Sequence, residues 1–438
     1  MPISPAAESA AIWGFGREGR AAYDHLRARR PDLALTILDD AALADAPLGA
    51  AVLTGAEAMD ALRAGTFDLV VKSPGISLYR DEIAQARAGG THFTSVTNLW
   101  FDEYPDARTI VVTGTKGKST TSRLIHHLLT RGGLDVHLLG NVGVPALGET
   151  PGRDWTVLEL SSYQLADFEH APDIAVLTNL YPEHAPWHGG VEPYYRDKLR
   201  AIRDETKTLA VPNRADPQLR ERLGTRTHTN WYNEANGFHV KDDHLYFGDK
   251  QVEITNFPLR GAHNLANLAA ACTVADLAGL HDLRQRVDLR GFEQLHHRLE
   301  EFHAGRITCV DDSISTVPQA TLAALAAYPG RDVVLLLGGS DRGQDYAELV
   351  DVLETSRVST LILLPVTGER IFEILKTRKA PFEIVHASTL AKAVEVAMQR
   401  VPENGLVMLS PAAPSFEEFR NFEERGRRFK ELCASFAR

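Results

Sequence analysis

The sequence predicts an α/β protein built around parallel sheets, and three observations carry this prediction. Short apolar runs alternate with helical patterns along the chain, as in proteins whose parallel strands are connected by helices. Glycine-rich turns follow two of these runs, where a strand would pass into a helix. The chain has 438 residues, a length typical of about three domains. We predict domains at residues 1–103, 104–296 and 297–438.

The strand-like runs fall into three groups. The first contains AAIWGFG, ALTILDD and FDLVVKSPG; the second begins with TIVVTG and includes WTVLELSS and DIAVLTNL. The third contains ITCVDDS, DVVLLLGG, TLILLP and GLVMLSPA. Within the second group, residues 237–254 resemble short antiparallel strands, so we expect an insertion there.

Composition restricts the classes of partner. The formal net charge is -11, which disfavours binding of nucleic acid or anionic membrane through bulk charge. Three cysteines, Cys272, Cys309 and Cys433, are few and far apart, which predicts no disulfide framework or metal cluster and favours a reducing compartment. We find neither a signal-peptide pattern nor an apolar run near the ~18 residues of a membrane span. We therefore expect a cytoplasmic protein. We also expect a monomer, although no sequence pattern bears on the oligomeric state.

The first glycine turn predicts a Rossmann-like nucleotide site. Gly14, Gly16 and Gly19 form G-x-G-x-x-G between a strand and a helix, and Asp39 ends the next strand. Glycines let a diphosphate approach the backbone at a helix N-terminus. The pattern favours a nucleotide other than a dinucleotide, with NAD or plain strand–helix packing as alternatives. KSPGIS (72–77) ends the third predicted strand at the same edge, unless it is only a Pro-Gly turn.

The second glycine turn is the stronger signal. In GTKGKS, backbone N–H groups following Gly114 and Gly117 would surround phosphates, Lys118 would neutralise them, and the Ser119 hydroxyl would reach Mg²⁺. The common P-loop has a glycine where this chain has Val112. The strand before the turn and the helix after it still favour a P-loop ATPase-like domain.

Further motifs extend over nearly the whole chain in a fixed order. They are GTKGKST, GNVG, ELSSYQL, NLYPEH, YYRDKL, LRGAHNLAN, HHRLE, DDS and LSPAAPSFEEFRNFEERG. In this order they resemble the Mur ligase family, and within it the MurD branch, which adds glutamate to UDP-N-acetylmuramoyl-L-alanine. The resemblance implies a Rossmann-like N-terminal domain, an ATP-binding central domain and a Rossmann-like C-terminal domain. It also implies a role in peptidoglycan synthesis, and so in cell-wall biogenesis, cell shape and division.

The resemblance implies a specific reaction. The γ-phosphoryl group of ATP passes to the alanine carboxylate and forms an acyl phosphate. The glutamate amine attacks this carbonyl, and phosphate leaves from the tetrahedral intermediate. Both reactants are anionic, so cations, including two Mg²⁺ ions, must hold them together.

The family motifs imply four catalytic residues. Lys118 would hold the β and γ phosphates, and Glu159 would bind Mg²⁺ together with Ser119. His184 would approach the second Mg²⁺ or the substrate, and Lys198 matches a lysine that the family carbamylates, which would make it a metal ligand. The alternatives are an exposed strand-end acid for Glu159, a structural role for His184 and a solvated helix position for Lys198.

The resemblance also implies three sets of binding residues. Asn264 and Asn267 lie three apart on a predicted helix, so they share a face and could bind adenine, although Asn264 could instead be a helix N-cap. Arg298 and Asp312 would meet ATP from the third domain, which implies lid-like closure. The ATP set is Gly114, Thr115, Lys116, Gly117, Lys118, Ser119, Thr120, Asn264, Asn267, Arg298 and Asp312. The UDP-sugar set is Gly14, Phe15, Gly16, Asp39, Asp40, Ser73, Pro74, Gly75 and Asn141. The glutamate set is Thr316, Arg342, Ser415 and Phe422.

The glutamate set points to one enantiomer. Members that add D-glutamate carry a lysine in DSKATN where this chain has Ile314 in DSISTVP, and Arg342 stands where another pocket lysine is usual. Arginine binds a carboxylate in a plane that lysine does not reproduce. The chain therefore resembles the L-glutamate-adding variant. The alternative is the ordinary reaction with D-glutamate. In that case DSISTVP is a local sequence change, in which Ser315 or Thr316 caps a helix near Pro318.

Three other functions compete with this hypothesis. A folylpolyglutamate synthase-like ligase would share the ATP residues but would not need the glycine turn in residues 1–103. An NAD-dependent oxidoreductase would leave GTKGKST unexplained. A catalytically silent nucleotide-binding protein would not be expected to keep Lys118, Glu159, His184 and Lys198.

Overall fold

The computed structural model describes residues 7–43, 46–141, 144–293, 296–341, 343–415 and 418–436. The chain forms two compact units, one of Met1–Phe257 with His263–Arg290 and one of Pro258–Ala262 with Gly291–Arg438. Their sheets are mostly parallel and alternate with helices, so the predicted α/β class is confirmed. The three domain boundaries stay a prediction.

The first sheet has five parallel strands in the order β3-β2-β1-β4-β5. Strand order reverses beside β1, and ligands of open α/β sheets bind at such a point. The sequence analysis missed β3, so the strand ending in Lys72 is the fourth and not the third. The strands are β1 (Ser9–Trp13), β2 (Ala34–Asp39), β3 (Ala51–Thr54), β4 (Leu69–Lys72) and β5 (His92–Thr94). The helices are α1 (Arg17–Arg29), α2 (Gly55–Arg63), α3 (Asp81–Ala88) and α4 (Val96–Glu103).

The second sheet is also parallel and has the order β10-β9-β6-β8-β7, with the strand before GTKGKS at its centre. Every residue of that strand, β6, is buried, which suits a central strand that is covered on both faces. The strands are β6 (Thr109–Thr113), β7 (Val136–Gly140), β8 (Trp155–Glu159), β9 (Ile174–Leu177) and β10 (Leu209–Pro212). The helices are α5 (Lys118–Arg131), α6 (Ser162–Leu165), α7 (Ala185–His188), α8 (Val191–Leu199), α9 (Pro217–Leu223) and α10 (Ala262–Leu277), with a 3-10 turn at Arg200–Ile202.

The predicted insertion is present, with one difference. Strands β11 (Phe238–Lys241), β12 (His244–Phe247) and β13 (Lys250–Gln251) form an antiparallel sheet. The next strand, β14 (Glu253–Thr255), leaves this sheet and pairs in parallel with β15 (Arg286–Asp288), which follows a 3-10 turn at His281–Arg284. The insertion therefore ends sooner than the alternating pattern suggested.

The second unit contains a six-stranded sheet in the order β16-β17-β21-β18-β19-β20. Strands β16 and β17 pair antiparallel, and the other pairs are parallel. Alternate side chains of one strand enter separate cores on the two faces, Leu335 on one side and Leu336 on the other. The strands are β16 (Glu300–Ala304), β17 (Ile307–Asp311), β18 (Val333–Leu337), β19 (Val358–Leu363), β20 (Glu383–His386) and β21 (Leu406–Leu409). The helices are α11 (Pro318–Ala326), α12 (Ala347–Thr355), α13 (Thr367–Leu375), α14 (Leu390–Arg400) and α15 (Phe422–Ser435).

One apolar core joins the first two sheets. Helix α4 is buried from Val96 to Phe101, and the Phe101 ring lies 5.1 Å from that of Phe168 in the second sheet's half. The Asn98 side-chain amide donates to the Asp167 carbonyl at 2.9 Å. These contacts explain why both sheets belong to one unit. Among the described helices, none combines the length and apolarity that crossing a bilayer requires.

Candidate functional site

The GTKGKS turn folds as a compact loop between β6 and α5. Gly114 has φ +137° and Gly117 has φ +83°, both in the left-handed region that favours glycine. A Cβ at Gly117 would lie 2.5 Å from the Asn267 side-chain oxygen. Val112, where the common P-loop has glycine, is a buried residue of β6. The strand therefore continues to Thr113, and the loop is shorter than the common form.

Side chains from the end of β9 hold this loop. The Thr178 hydroxyl donates to the Lys116 carbonyl at 2.6 Å. The Asn179 amide bonds Lys116 twice, accepting from its N–H at 2.8 Å and donating to its carbonyl at 3.1 Å. The Thr115 hydroxyl lies 2.9 Å from that of Tyr194. The loop is thus shaped by protein contacts on its outer side, which suits a pre-formed phosphate site.

The helix that follows the loop begins with one cation, Lys118, and then polar side chains. The Lys118 ammonium donates to the Gly114 and Thr115 carbonyls at 3.2 and 3.0 Å. Ser119 is half-buried and Thr120 is buried. The first turn of α5 carries no acidic residue. The first N–H groups of a helix have no carbonyl partner within the helix, so they can donate to a ligand. This combination favours binding of an anion.

Lys198 is buried against the same loop. Its ammonium donates to the Gly114 carbonyl at 2.7 Å and lies 5.0 Å from the centre of the Tyr194 ring. Burial, and then the charge of Lys118, hold the pKa of Lys198 well below its ordinary value. Lys198 is therefore not the solvated helix residue of the alternative interpretation, and its amine is held toward the neutral form.

His184 stands at the start of α7 with φ +53°. Its ring lies 5.0 Å from that of Tyr163, and its side chain is 47% exposed. Partial burial is the largest cause that lowers the pKa of His184; Glu183 opposes this effect, and three lysines, Lys198, Lys116 and Lys118, add to it. The imidazole is therefore neutral near pH 7, the form that can bind a metal ion or accept a proton.

Glu159 ends β8 with its carboxylate fully buried. One oxygen, Oε1, accepts from the Asn141 side chain at 2.9 Å, and within the described part of the chain the other oxygen, Oε2, has no hydrogen-bond partner. The exposed-acid alternative is therefore wrong. A buried carboxylate oxygen without a donor is costly unless a cation meets it. The residues present thus fit a hard cation such as Mg²⁺.

Asn141, a residue of the predicted UDP-sugar set, contacts the Glu159 side chain and also donates its backbone N–H to the Glu159 carbonyl at 2.9 Å.

Asn264 and Asn267 lie on α10 with a 3.2 Å hydrogen bond between their side chains, and the Thr121 hydroxyl donates to the Asn267 side chain at 3.2 Å. Helix α10 begins at Ala262. Asn264 is therefore inside the helix, and the N-cap alternative is wrong.

The first glycine turn brings most of its predicted residues to one edge. Gly14 has φ +90°, and its carbonyl accepts from the Ser73 hydroxyl at 2.6 Å. The Phe15 N–H donates to the Asp39 carboxylate at 3.1 Å. Gly16 precedes α1 as its N-cap, and the Asp40 carboxylate accepts from the Trp13 indole N–H at 3.2 Å. These groups line the carboxyl ends of β1, β2 and β4.

The SPG loop, which we define as Ser73–Ser77, is tied to the segment before α8. The Trp187 indole donates to the Gly75 carbonyl at 3.0 Å, and the Ser77 hydroxyl donates to the Trp187 carbonyl at 2.6 Å. Pro74 immediately precedes Gly75. The loop that ends β4 is therefore more than a Pro-Gly turn: it connects the first sheet to the segment that carries His184.

A polar chain continues from this junction, and it is buried from Asp197 onward. The Tyr79 hydroxyl donates to Asp197 at 2.8 Å, and Asp197 lies 2.6 Å from His188 Nδ1. His188 Nε2 lies 3.1 Å from the Ser162 hydroxyl. Because Asp197 immediately precedes Lys198, the chain links residues after the SPG loop to the helix that carries this lysine.

In the second unit, Asp312 is buried and heavily bonded. The Ser410 hydroxyl donates to it at 2.7 Å, the Leu299 N–H at 3.2 Å, and the Ser315 hydroxyl is a third donor. Burial raises the pKa of Asp312 to about 6, and these bonds together with the charge of Arg298 act against the rise. Arg298 and Asp312 therefore interact electrostatically within this unit.

Three residues of the glutamate set are described. Ser415 is buried, Thr316 accepts from the Gln344 side chain at 3.2 Å, and Phe422 is the first residue of α15. Arg342 lies outside the described residues. Helix α11 begins at Pro318 with Val317 as its N-cap. Capping by Ser315 or Thr316 is therefore wrong as an explanation of DSISTVP.

Comparisons with known proteins identify the family. A model of the Mur ligase middle domain matches residues 112–275, and a model of the Mur ligase glutamate ligase domain matches residues 297–413. A UDP-N-acetylmuramoyl-L-alanine--L-glutamate ligase of Xanthomonas axonopodis pv. citri (strain 306) is 38% identical over 97% of this chain and 95% of its own. A Micromonospora protein of the same name is 40% identical over 98% and 96%.

The chain belongs to the Mur ligase family.

Solved Mur ligases share its fold. The Thermotoga maritima MurF ligase, solved with ADP, aligns over 98% of this chain and 94% of its own with a TM-score of 0.61 and 17% identity. The MurC ligase of the same organism aligns over 98% and 99% with a TM-score of 0.60 and 19% identity. At these identities the likeness concerns the fold of a Mur ligase.

Several residues that shape this Mur ligase site were missed by sequence reasoning. Thr178 and Asn179 hold the GTKGKS loop, and Tyr79, Asp197 and His188 form the polar chain. Asn179 stands in the NLYPEH motif, which offered a signal. Tyr79 and Asp197 are 118 positions apart, and no local pattern connects them.

Proposed function

We propose that this protein is an ATP-dependent ligase that adds L-glutamate to UDP-N-acetylmuramoyl-L-alanine in peptidoglycan precursor synthesis. The observation that carries the phosphoryl chemistry is the meeting of Lys118, Lys198 and the Gly114 carbonyl beside the loop. The choice of substrates is supported by the names of relatives that match almost the whole chain. Because every proposed catalytic residue comes from one chain and ATP is a cytoplasmic substrate, we propose a monomer that works in the cytoplasm.

ATP would bind at the loop that begins α5. The N–H groups of the loop and of the first helical turn donate to phosphate oxygens, and the helix dipole favours their charge. Lys118 leaves its present carbonyl partners and neutralises the β and γ phosphates. Asn264 and Asn267 lie on a helix beside Gly117 and supply amide groups for the adenine.

Mg²⁺ would be held by Glu159, with Ser119 and His184 near the same loop. When bound, the ion neutralises charge on the phosphate oxygens and so favours transfer of the γ-phosphoryl group to a carboxylate. Asn141 donates to one Glu159 oxygen, Oε1. This bond and the position of Glu159 at the end of β8 fix the carboxylate, so that Oε2 is left to meet the ion.

Lys198 is suited to carbamylation. A neutral amine adds CO₂ to give a carbamate and a proton, and the lowered pKa of Lys198 favours this neutral form. The modification would convert a buried neutral amine into an anion beside Lys116 and Lys118, where a negative group is electrostatically favoured. It could then orient the cations that hold the two anionic reactants.

The chemistry requires a free carboxylate and a free amine in succession. The alanine carboxylate takes the γ-phosphoryl group, the glutamate nitrogen attacks the resulting carbonyl carbon, and the C–O bond to phosphate breaks. Neutral His184 is a candidate to accept the proton that the amine loses. Ser415, Thr316 and the first N–H groups of α15 at Phe422 would hold the glutamate carboxylates, together with Arg342.

The test is a ligation assay with the purified protein. UDP-N-acetylmuramoyl-L-alanine, ATP and Mg²⁺ are supplied, and phosphate release and ligated product are measured with L-glutamate and with D-glutamate in parallel. Product with L-glutamate in clear excess is expected. Preference for D-glutamate would overturn the enantiomer, and phosphate release without product from either would overturn the proposed acceptor or amino acid.

A further inference from the structure

Arg425 is a buried cation that the proposed mechanism does not use. It lies on α15, three residues after Phe422, and is 2% exposed. Its Nε donates to the Ser313 hydroxyl at 3.0 Å and its Nη2 to the Ser313 carbonyl at 2.8 Å. Nη2 also donates to the Ala413 carbonyl at 3.0 Å, and Nη1 donates to that of Pro414 at 3.3 Å. The planar guanidinium therefore holds two separate segments of the chain at once.

Both segments carry residues of the predicted glutamate set. Ala413 and Pro414 immediately precede Ser415, and the positive φ of +55° at Ala412 shows that this turn needs outside support. Ser313 lies three residues before Thr316, and its hydroxyl donates to the Phe422 carbonyl at 2.8 Å. Arg425 is thus the common centre of three chain segments, at 313, 413–415 and 422.

Within the described part of the chain, the charge of Arg425 has no carboxylate paired with it directly. Asp311 bonds His297 at 2.6 Å, and Asp312 accepts from Ser410 and Ser315. Burial lowers the pKa of Arg425 to about 10, against the pull of these two acids, so it remains a cation at neutral pH. The guanidinium therefore adds positive charge to a cavity wall that also contains the Glu418 carboxylate.

A cavity of about 360 Å³ opens next to this centre. Its walls include Gly338, Gly339, Leu364, Ser415, Phe419 and Arg425. The cavity lies at the carboxyl ends of β18 and β19, the edge at which parallel α/β sheets bind ligands. A Cβ added at Gly339 would lie 2.2 Å from the Pro414 carbonyl oxygen and 3.2 Å from Nη1 of Arg425. The wall formed by 413–415 therefore packs closely against the end of β18.

We propose that Arg425 is a positioning residue that sets the affinity and enantiomer preference for the incoming glutamate, by fixing Ser415, Thr316 and Phe422 relative to one another. This inference rests on the proposed function. Without the guanidinium, the 413–415 turn and the Ser313 loop would each relax, and the hydroxyls and N–H groups that meet the two carboxylates would no longer converge. The positive charge of the guanidinium would also be lost from the wall of the cavity.

The decisive variant is Arg425→Gln, with Arg428→Gln as its matched control. Arg428 lies one turn further along the same helix, where it is exposed and pairs with Glu431 at 3.0 Å. For Arg425→Gln we expect the KM for L-glutamate to rise roughly 10- to 100-fold, the ratio of L- to D-glutamate turnover to fall, and the KM values for ATP and UDP-N-acetylmuramoyl-L-alanine to stay within about twofold. Arg428→Gln should change none of these quantities.

A milder variant guards against loss of the fold. Ser313→Ala removes the hydroxyl that joins Arg425 to Phe422 and keeps the other bonds, so a smaller rise in the KM for glutamate is expected, roughly 3- to 10-fold. Arg425→Lys keeps the positive charge but loses the planar guanidinium with its several N–H donors. It should recover only part of the affinity for glutamate. If all three KM values rose together, or if only kcat fell, Arg425 would be a general structural residue and the inference would be wrong.

The outcome for the unaltered protein separates this inference from the proposed function. If the unaltered protein ligates neither enantiomer, the proposed function fails first. If it ligates L-glutamate while Arg425→Gln, folded by circular dichroism, keeps its KM for glutamate and its enantiomer ratio, the ligase assignment stands and the role of Arg425 is refuted.

Discussion

The two glycine turns of the first unit have the same backbone plan and different side chains around it. Each follows the central strand of a parallel sheet and leads into a helix, with a left-handed glycine at Gly14 in one turn and at Gly114 and Gly117 in the other. At the first turn the Phe15 N–H donates to the Asp39 carboxylate, and the helix begins with Arg17 followed by Glu18. At the second, Lys118 begins the helix.

This difference teaches that side chains decide what such a turn binds. Acceptors such as Asp39 suit the hydroxyl and N–H groups of a nucleoside, whereas phosphates need donors and positive charge. The first turn therefore has an acceptor, Asp39, that could meet a nucleoside, and the second turn has the buried Lys198 beside Lys118, which suits a triphosphate. Backbone geometry alone would not have separated the two.

Lys118→Ala should produce the largest effect on this comparison. Removing the only cation that begins α5 takes away a donor to charge that develops during phosphoryl transfer, and we expect kcat to fall roughly 10²- to 10³-fold. Ligation kinetics would measure it, with Lys250→Ala on the exposed strand β13 as the control. Unchanged ligation in Lys118→Ala would refute the assignment of ATP to the second turn.

Exchange of one glycine in each turn tests their packing. In Gly117→Ala the new methyl group meets the Asn267 side chain and the residue keeps a positive φ, so we expect the free energy of unfolding to fall by about 1–3 kcal/mol and ATP binding to weaken. In Gly16→Ala nothing lies within 4 Å of the new group, and the loss should stay below about 1 kcal/mol. Chemical denaturation and ATP titration would report both.

Should Gly16→Ala nevertheless raise the KM for the UDP-sugar while stability holds, a ligand that packs against Gly16 would be the simplest cause. Equal destabilisation by both exchanges would contradict the packing difference between the turns.

Lys198→Met should change how stability depends on pH. The folded-state pKa of Lys198 is lowered, so between that value and the unfolded pKa of about 10.4 the unfolded state binds more protons and stability rises with pH. The variant lacks this contribution. In CO₂-depleted buffer the unaltered protein should therefore gain stability relative to Lys198→Met from pH 7 to pH 9, at no more than about 1.4 kcal/mol per pH unit. A parallel pair of curves would contradict the lowered pKa.

Glu18→Gln should show the opposite sign and the smallest effect. Burial is the main cause that raises the pKa of Glu18, and its bond from Gln164 acts against the rise. A raised carboxyl pKa contributes stability that is complete below about pH 4.5 and is lost as pH rises through the folded value. Relative to the unaltered protein, Glu18→Gln should therefore become more stable as pH increases from 4 to 7. Thermal unfolding across this range is the measurement, and a constant difference would contradict it.

Much of the first unit could be predicted because its signals are local. Strand ends followed by Gly, Lys or Glu predicted Lys118 and Glu159 at one sheet edge, and the spacing of Asn264 and Asn267 predicted one helix face. The burial of Lys198 followed from no local pattern, since a lysine on a helix is usually solvated. The family resemblance alone singled it out.

Contacts between distant segments could not be predicted. Tyr79 and Asp197, or Arg425 and Ser313, are joined by side-chain geometry that depends on how whole sheets pack. Local patterns also misled where one pattern fits two structures. Ser315 suggested a helix cap, but its hydroxyl donates to Asp312. The strand at Glu253 suggested a continued hairpin, but it pairs in parallel with β15.

The shared core at α4 has a consequence for dissecting the chain. Helix α4 ends at Glu103, where the first predicted domain ends, yet its apolar side chains are covered by the half that contains Phe168. Cutting after Glu103 would expose Phe101 on one fragment and Phe168 on the other, and each would then be prone to aggregate. The two sheets should accordingly melt in one cooperative transition, while a fragment that starts near Gly291 has a core of its own.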